Sequence, residues 1–192
     1  LIVLWRAICL FIIVLTIFIL LFHAELIMNT TKWVDAIPKI IQPIKKLIPE
    51  PVINFSSERI LNQLFKDEII NGDLSFIAER IIEIYVKDID LSLFLTLEND
   101  KLKSLKSPQS PDVTLSATGD ALILLIYSKV DPDTLFFNRK LMVKGNTELG
   151  LHLKNFLDTI EVNQKLPKAI YLMGDRFSDF IYKEKSETIP LN

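Results

Sequence analysis

The chain contains very little cysteine and almost no excess of charge of either sign. Its 192 residues include one cysteine, Cys9, which lies in an apolar run. No disulfide framework and no Cys/His metal site can be built from a single thiol. The formal net charge of −2 excludes a global basic field, so nucleic acid is not an expected partner. The length is sufficient for one domain with a substantial core.

Motifs that carry catalysis are also missing from the sequence. There is no glycine-rich phosphate loop, no Gly-x-Ser-x-Gly elbow and no Cys-x-x-Cys pair. His152 follows a glutamate by one helical turn, but no third ligand accompanies the pair. Asp88, Asp90, Asp131 and Asp133 lie in turn-like sequence, where aspartate is expected for structural reasons. We therefore expect no catalytic residue, no metal and no cofactor.

Residues 1–27 are dominated by an apolar run from Ala7 to Phe22. As a helix this run spans about 24 Å, somewhat less than the ~30 Å hydrocarbon core of a bilayer, and flanking residues would supply the difference. Three interpretations stay open: a membrane anchor, a translation start extended upstream of Met28, or a signal peptide with a poor cleavage pattern. An anchor would leave the rest of the chain in the cytoplasm, because lysines outnumber acids beyond the run.

Residues 28–50 form a basic, amphipathic segment. Aliphatic side chains recur at helical spacing between lysines, and Pro38 and Pro43 argue against one smooth helix. One interpretation is an arm that lies on an anionic membrane surface, and the other is a helix that covers the domain. The cations that would meet the membrane are Lys32, Lys39, Lys45 and Lys46.

Residues 51–183 are predicted to form one α+β domain, which a polar tail at 184–192 follows. Period-2 alternation predicts strands at 82–87, 91–98, 101–105, 113–117 and 141–143. Helical spacing predicts helices that end near Ile70 and that cover 121–127, 147–160 and 166–182. The caps predicted for these helices are Asn54 or Ser56, Thr118 or Asp120, and Asn146. Because the strands are consecutive, we expect an antiparallel sheet of about five strands covered by helices.

The most informative stretch is 131–157, together with the helix before it. Asp131-Pro132-Asp133 predicts a turn, and Leu135-Phe136-Phe137 is expected to follow in a loop. The next strand is expected to end at Gly145, where glycine allows the chain to turn. The helix predicted at Ala121–Tyr127 is apolar almost all round, a pattern typical of a helix buried on every side.

Two motifs in this stretch resemble a known family. They are Asp131-Pro-Asp-Thr-Leu-Phe-Phe-x-Arg139 and Gly145-x-Thr-Glu-Leu-Gly-Leu-x-x-Lys-Asn155. Both resemble the UbiT family of ubiquinone-biosynthesis accessory factors, a bacterial branch of the sterol-carrier-type lipid-binding domain. A looser resemblance runs from about Ile48 to Tyr182 and includes Val86-Lys-Asp-Ile-Asp-Leu91 and Leu166-Pro-Lys-Ala169.

The resemblance implies a non-catalytic protein with an apolar lipid tunnel between its sheet and its helices. The implied ligands are isoprenoid quinone intermediates or membrane phospholipid, since a long apolar chain suits such a cavity. The implied partners are iron–sulfur hydroxylases of the peptidase-like family, in the oxygen-independent branch of the pathway. The lysine excess beyond the apolar run and the basic arm lead us to expect a cytoplasmic location, peripheral to or anchored in the inner membrane. The pattern alone favours a simple core for these apolar residues, and it is the resemblance that assigns them to the lining of the tunnel. They are Leu122, Leu125, Ile126, Leu135, Phe136, Phe137, Leu149, Leu153, Phe156, Leu157, Ile170 and Met173.

Two other classes of function stay open. A general lipid-transfer protein would carry phospholipid or fatty acyl chains without belonging to a pathway. An enzyme is the third possibility, because sterol-carrier-type domains also occur fused to acyltransferases. The sequence has no phosphate loop for acyl-CoA, which argues against the enzyme.

Overall fold

The computed structural model of the chain describes Lys39, residues 50–106 and residues 110–185. The three interpretations of residues 1–27 lie outside this part of the chain, and so does the arm at 28–50, apart from Lys39 and Glu50. Most of the tail at 184–192 lies outside it too. None of the described helices has the length and hydropathy needed to cross a membrane.

The described part of the chain begins with two helices, continues with four consecutive strands, and ends with five helices that one further strand interrupts. The helices are α1 Glu50–Leu64, α2 Lys66–Asn71, α3 Gly119–Ile126, α4 Pro132–Phe137, α5 Thr147–Asp158, α6 Val162–Lys165 and α7 Lys168–Lys185. The strands are β1 Ile82–Val86, β2 Leu91–Glu98, β3 Lys101–Leu105, β4 Val113–Ala117 and β5 Leu141–Gly145, and a 3₁₀ turn covers Ser75–Ile77. All five predicted strands are therefore confirmed.

The five strands form one mixed sheet in the order β3-β2-β1-β4-β5. Three of the neighbouring pairs are antiparallel, as expected, but β1 and β4 are parallel, with Ile82 opposite Val113 and Val86 opposite Ala117. The expectation of a wholly antiparallel sheet is corrected at this pair. The β2–β3 hairpin and the loop after it act as the long connection that parallel neighbours need, and they return the chain to the free side of β1.

The two faces of the sheet differ in polarity. One face carries most of the aliphatic side chains of the strands, whereas Phe94, Leu105 and Met142 lie on the other. Helix α5 packs on the first face so closely that a Cβ on Gly150 would stand 2.4 Å from Val143 Cγ1. On the other face Glu83 accepts hydrogen bonds from Ser92 Oγ at 2.7 Å and from Thr114 Oγ1 at 2.8 Å. The apolar face is called the covered face below.

The outer edge of β3 is closed by side chains of α1 rather than by another strand. Asn62 accepts a hydrogen bond from the Leu102 amide at 2.9 Å, and its own amide donates to the Leu102 carbonyl at 2.7 Å. Glu58 accepts from the Ser104 amide at 2.9 Å. The unpaired backbone amides and carbonyls of an open edge can pair with another chain. Here the Leu102 amide and carbonyl and the Ser104 amide are already hydrogen-bonded to α1.

The helix termini confirm some of the predicted caps and correct others. Asn146 caps α5 as expected, since its Oδ1 accepts from the Leu149 amide at 3.0 Å. Thr118 occupies the N-cap position of α3, as one of the two alternatives predicted, but its side chain accepts no capping hydrogen bond. Instead Asp88 from the β1–β2 turn accepts from the Gly119 amide at 3.0 Å. For α1, a cap from Asn54 or Ser56 is wrong, since both residues lie inside the helix, which begins at Glu50.

A further correction concerns the segment that follows Val130. Asp131-Pro132-Asp133 is the beginning of helix α4 rather than a turn, and Leu135-Phe136-Phe137 is helical rather than a loop. The Asp131 carboxylate accepts from the Thr134 amide and hydroxyl, both at 2.7 Å. Proline at the first helical position has no amide to leave unpaired, so the same residues that favour a turn also begin a helix.

Gly145 joins β5 to α5 at a crowded point. Its φ is +98°, and a Cβ there would stand 2.4 Å from the Asp112 carbonyl oxygen. That carbonyl accepts from the Asn146 amide at 2.8 Å, and the Asp112 side chain accepts from the Ile81 amide at 2.8 Å. The bond from the Ile81 amide, with help from Arg80, holds the pKa of Asp112 below its usual value. Asp112 therefore connects the starts of β1, β4 and α5.

Candidate functional site

The side chains on the covered face are fully buried in one part of the sheet and only half-buried in another. Val113, Leu115 and Ala117 of β4 are buried to 2 % exposure or less, as is Ile82 at the start of β1. Further along β1, and on the facing part of β2, the side chains that share this face are only half-buried. These residues are called the half-covered face and are Ile84, Val86, Leu91 and Leu93.

Sequence reasoning missed the half-covered face as a site, although it predicted the strands. The signal that was present is the apolar alternation of β1 and β2, which identifies the face to which each side chain points. Alternation does not reveal how completely helices close over that face. Half-buried aliphatic side chains on an inner face give a lipid tail apolar surface to cover.

The helix expected to be buried on every side is buried on one side only. In α3, Ala121, Leu124 and Leu125 are buried, whereas Leu122 is half-buried and Ile126 is 45 % exposed. The prediction was wrong because α3 is short and packs mainly on α7. A helix that is apolar all round but covered on one side leaves a solvent-accessible apolar surface.

The residues predicted to line a lipid tunnel fall into three groups by exposure. Leu125, Leu135, Leu149 and Leu153 are buried. Leu122, Phe156, Leu157 and Met173 are half-buried. Ile126, Phe136, Phe137 and Ile170 are exposed. Pocket lining stays a prediction for all of them, and the exposed four would touch only a lipid that reaches the surface.

Phe156 belongs to an aromatic cluster that links three parts of the chain. Its ring centroid lies 5.6 Å from that of Phe65 and 6.0 Å from that of Phe76. The ring of Phe76 meets His152 edge to face at 5.9 Å. Sequence reasoning missed Phe76, which lies in the 3₁₀ turn at Ser75–Ile77. The described partner of His152 is therefore an aromatic ring.

Ion pairs hold α7 against the end of α3. Lys129 Nζ lies 2.8 Å from Asp175 Oδ1 and 2.7 Å from Asp179 Oδ1. Burial lowers the pKa of Lys129, but hydrogen bonds to the two aspartates outweigh burial, so the pKa is raised. Tyr127 lies against Gly174, where a Cβ would stand 1.8 Å from the Tyr127 hydroxyl oxygen. These contacts fix the middle of α7.

Few polar groups accompany this apolar surface. Among the described residues, the buried side-chain atoms without a hydrogen-bond partner are Glu68 Oε2 and Ser104 Oγ. Ser104 is paired with Leu95 across the β2–β3 ladder, so its hydroxyl lies on the covered face. Within the same part of the chain no group of three or more His, Cys, Asp or Glu side chains is placed to hold a metal ion. The arrangement suits the binding of an apolar ligand that carries a small polar group.

Two comparisons with known proteins establish the family. A model of the SCP-2 sterol transfer family matches residues 58–158, from α1 to the end of α5. The ubiquinone biosynthesis accessory factor UbiT of Escherichia coli strain K12 is 38% identical over 144 residues, which are 75% of this chain and 82% of that protein. The chain belongs to the SCP-2 sterol transfer family, and within that family to the UbiT-like proteins.

Solved structures show more distant likenesses. The UbiJ-SCP2 ubiquinone synthesis protein is 20% identical with a TM-score of 0.49, and the match covers 58% of this chain and 93% of that chain. The sterol carrier protein domain 2 of Helicoverpa armigera is 20% identical with a TM-score of 0.41, over 54% of this chain and 84% of that chain. The α+β class expected from the sequence agrees with the family that the chain belongs to.

Proposed function

We propose that the chain is a non-catalytic, lipid-binding accessory factor of ubiquinone biosynthesis. The observation that carries the proposal is the half-covered face, whose aliphatic side chains lie on the inner side of the sheet without being closed over. Family membership supports it, because the curated relative is named as a ubiquinone biosynthesis accessory factor. The ligand is a polyprenylated quinone intermediate or a membrane phospholipid.

The physics of such a ligand fits the apolar surface. An isoprenoid chain offers almost no hydrogen bonds, so its affinity depends on the area that it buries. Covering one half-buried leucine or isoleucine contributes on the order of 1 kcal/mol. Stable binding therefore requires contact with several of these residues, and four of them are adjacent on β1 and β2.

The proposed role is to hold the lipid and present it to partner enzymes. We infer that these are iron–sulfur hydroxylases of the peptidase-like family, acting in the oxygen-independent branch of the pathway. The iron–sulfur centres belong to the partners, since one cysteine cannot hold a cluster. Co-purification of the tagged chain with a hydroxylase from cells grown without oxygen tests this part of the proposal, and recovery equal to that with an untagged strain contradicts it.

We further propose a cytoplasmic protein that is held at the inner membrane through residues 1–27 or the arm at 28–50. Lys39 is the one arm cation of the four that the structure describes, and it is exposed. Across Lys32–Ile48, four lysines stand against Asp35. Each contributes about 1 kcal/mol at an anionic surface, and salt weakens the effect.

Exchanging Lys45 and Lys46 for glutamate is expected to weaken flotation of the chain with anionic vesicles. Residues 28–192 provide the cleaner test, because the apolar run is then absent. Raising the salt concentration should lower binding without abolishing it, since aliphatic burial does not depend on salt. The matched control exchanges Lys101 and Lys103 on β3 for glutamate, and it should leave flotation unchanged. Equal flotation of the wild type and the arm variant would mean that this segment only covers the domain.

Replacing His152 by alanine is expected to leave function nearly intact. The ring is exposed and its described contact is the edge-to-face packing on Phe76, which is worth about 1 kcal/mol. The measurement is quinone content, without oxygen, of a strain that has only the variant. A fall to the level of the empty strain, with folded variant present, would reveal a site at His152.

A further inference from the structure

The most conspicuous exposed apolar feature of the described chain is at the end of α4. Phe137 is 79 % exposed and Phe136 is 44 % exposed, and their ring centroids lie 6.0 Å apart. These two residues are called the aromatic tip. Two adjacent exposed phenylalanines form an apolar projection of the kind that marks an interaction site.

The aromatic tip is held on a rigid support. The Asp131 carboxylate closes the start of α4 through both of its oxygens, and Pro132 is buried in the first turn. Leu135, directly before the tip, is 0 % exposed. The helix ends at Phe137; two residues later Arg139 has a φ of +57°, and the Lys140 amide donates to the Leu135 carbonyl at 2.9 Å. The tip is therefore displayed by a fixed helix end.

The residues that follow the tip are cationic. From Asn138 to Gly145 the charged residues are Arg139, Lys140 and Lys144, and no acid lies among them. These three residues are called the cationic flank. In the part of the chain that the structure describes, none of the three forms an ion pair, whereas Lys129 and Lys154 are bound to aspartates.

The acids on the other side of the tip are already engaged. Asp131 is occupied in capping α4, and Asp133 is paired with Lys154 of α5. Hydrogen bonds from Thr134 leave Asp131 charged, so the three cations of the flank set against Asp131 leave a local net charge of +2 (3 − 1). Phenylalanine is among the apolar side chains that bury themselves at the boundary between headgroups and acyl chains, and unpaired cations next to it complement anionic lipid.

We propose that the aromatic tip and the cationic flank dock the folded domain onto an anionic lipid bilayer. The inference rests on the proposed function, because a lipid carrier must meet the membrane with which it exchanges its ligand. It adds a contact made by the domain itself, separate from residues 1–50. The tip lies beside β5, at one end of the strand order, while α1 closes β3 at the other end. Four strand spacings separate these edges, about 19 Å.

A label at position 137 reports docking directly in the full chain. In a Cys9→Ser background, Phe137→Cys carries an environment-sensitive fluorophore, and Ile70→Cys on α2 carries it in the control. Ile70 matches the tip in exposure, at 71 %. Vesicles of phosphatidylethanolamine and phosphatidylglycerol are expected to reduce acrylamide quenching of the label at 137 several-fold. The label at 70 should be unaffected.

The cationic flank is tested with the same label. Arg139→Gln with Lys144→Gln should shift the equilibrium between docked and free tip by roughly thirtyfold at low salt, because each cation near an anionic surface contributes a factor of about five. The matched control, Lys101→Gln with Lys106→Gln near the opposite edge, should leave protection at 137 unchanged. Vesicles of phosphatidylcholine alone should protect the label less than the anionic vesicles do.

The outcomes separate this inference from the proposed function. Lipid extracted from the same preparations tests the function independently of the label. If lipid is recovered but quenching at 137 does not change on adding anionic vesicles, the docking inference is overturned and the proposed function stands. Equal protection at 70 and 137 also overturns it.

Discussion

Replacing Gly145 by alanine is expected to destabilise the chain by about 3 kcal/mol or more. A side chain at a φ of +98° is strained, and its Cβ would stand 2.4 Å from the Asp112 carbonyl oxygen. This carbonyl belongs to the backbone and accepts a hydrogen bond from the Asn146 amide. It therefore cannot move away from the new Cβ without breaking that hydrogen bond. For a chain of this size the loss corresponds to a fall in Tm of about 10 °C.

Gly72 provides the matched control for this prediction. It also has a positive φ, +80°, but a Cβ there would have nothing within 4 Å. Gly72→Ala is therefore expected to cost only backbone strain, about 1 kcal/mol. Thermal unfolding followed by circular dichroism compares the two variants. If both lose the same stability, the close approach of Gly145 to Asp112 is not what holds the joint together.

The second large effect is expected on lipid binding. Ile84→Asn together with Leu93→Asn places two amides on the half-covered face, at positions directly opposite each other in the β1–β2 ladder. A lipid tail that covers such an amide removes it from water and offers it no hydrogen bond, which weakens binding by about 1–3 kcal/mol for each amide. Retained lipid should therefore fall by on the order of a hundredfold, because the two costs act on the same ligand.

The control variant uses the neighbouring residues on the other face. Tyr85→Asn with Phe94→Asn also exchanges half-buried side chains of β1 and β2, and it should leave lipid retention near that of the wild type. Circular dichroism confirms that each variant is folded, and Leu93→Asn alone serves as the milder version. Equal loss of lipid from both double variants, or from neither, would remove the half-covered face as the binding surface.

The sequence predicted the strands well because their signal is local. Alternation in Ile82–Val86 and Leu91–Glu98 defines a strand regardless of its neighbours, and all five strands are present. The parallel pairing of β1 with β4 was not predictable in the same way. It depends on which side of β1 the chain reaches after the β2–β3 hairpin, and no local pattern encodes that choice.

The contacts that the sequence did not reveal are non-local or chemically ambiguous. Asp88 caps α3 from a turn 31 residues earlier, so inspection of the residues next to the helix cannot find it. Aspartate followed by proline favours both a turn and a helix start, and at Asp131 the helix forms because Leu135 buries its side chain completely. Exposure of Phe137 follows from the position of that helix on β5 and α5.

The central claim is that the chain holds a long apolar lipid, and the most direct test is mass spectrometry of lipid extracted from the purified full chain. The chain is expressed in a quinone-producing bacterium and extracted with organic solvent, beside an unrelated protein purified in the same way. We expect isoprenoid quinone intermediates or phospholipid above the level of that control. Phospholipid or fatty acid without any isoprenoid would favour a general lipid-transfer protein. Recovery of no lipid above the control would contradict the claim.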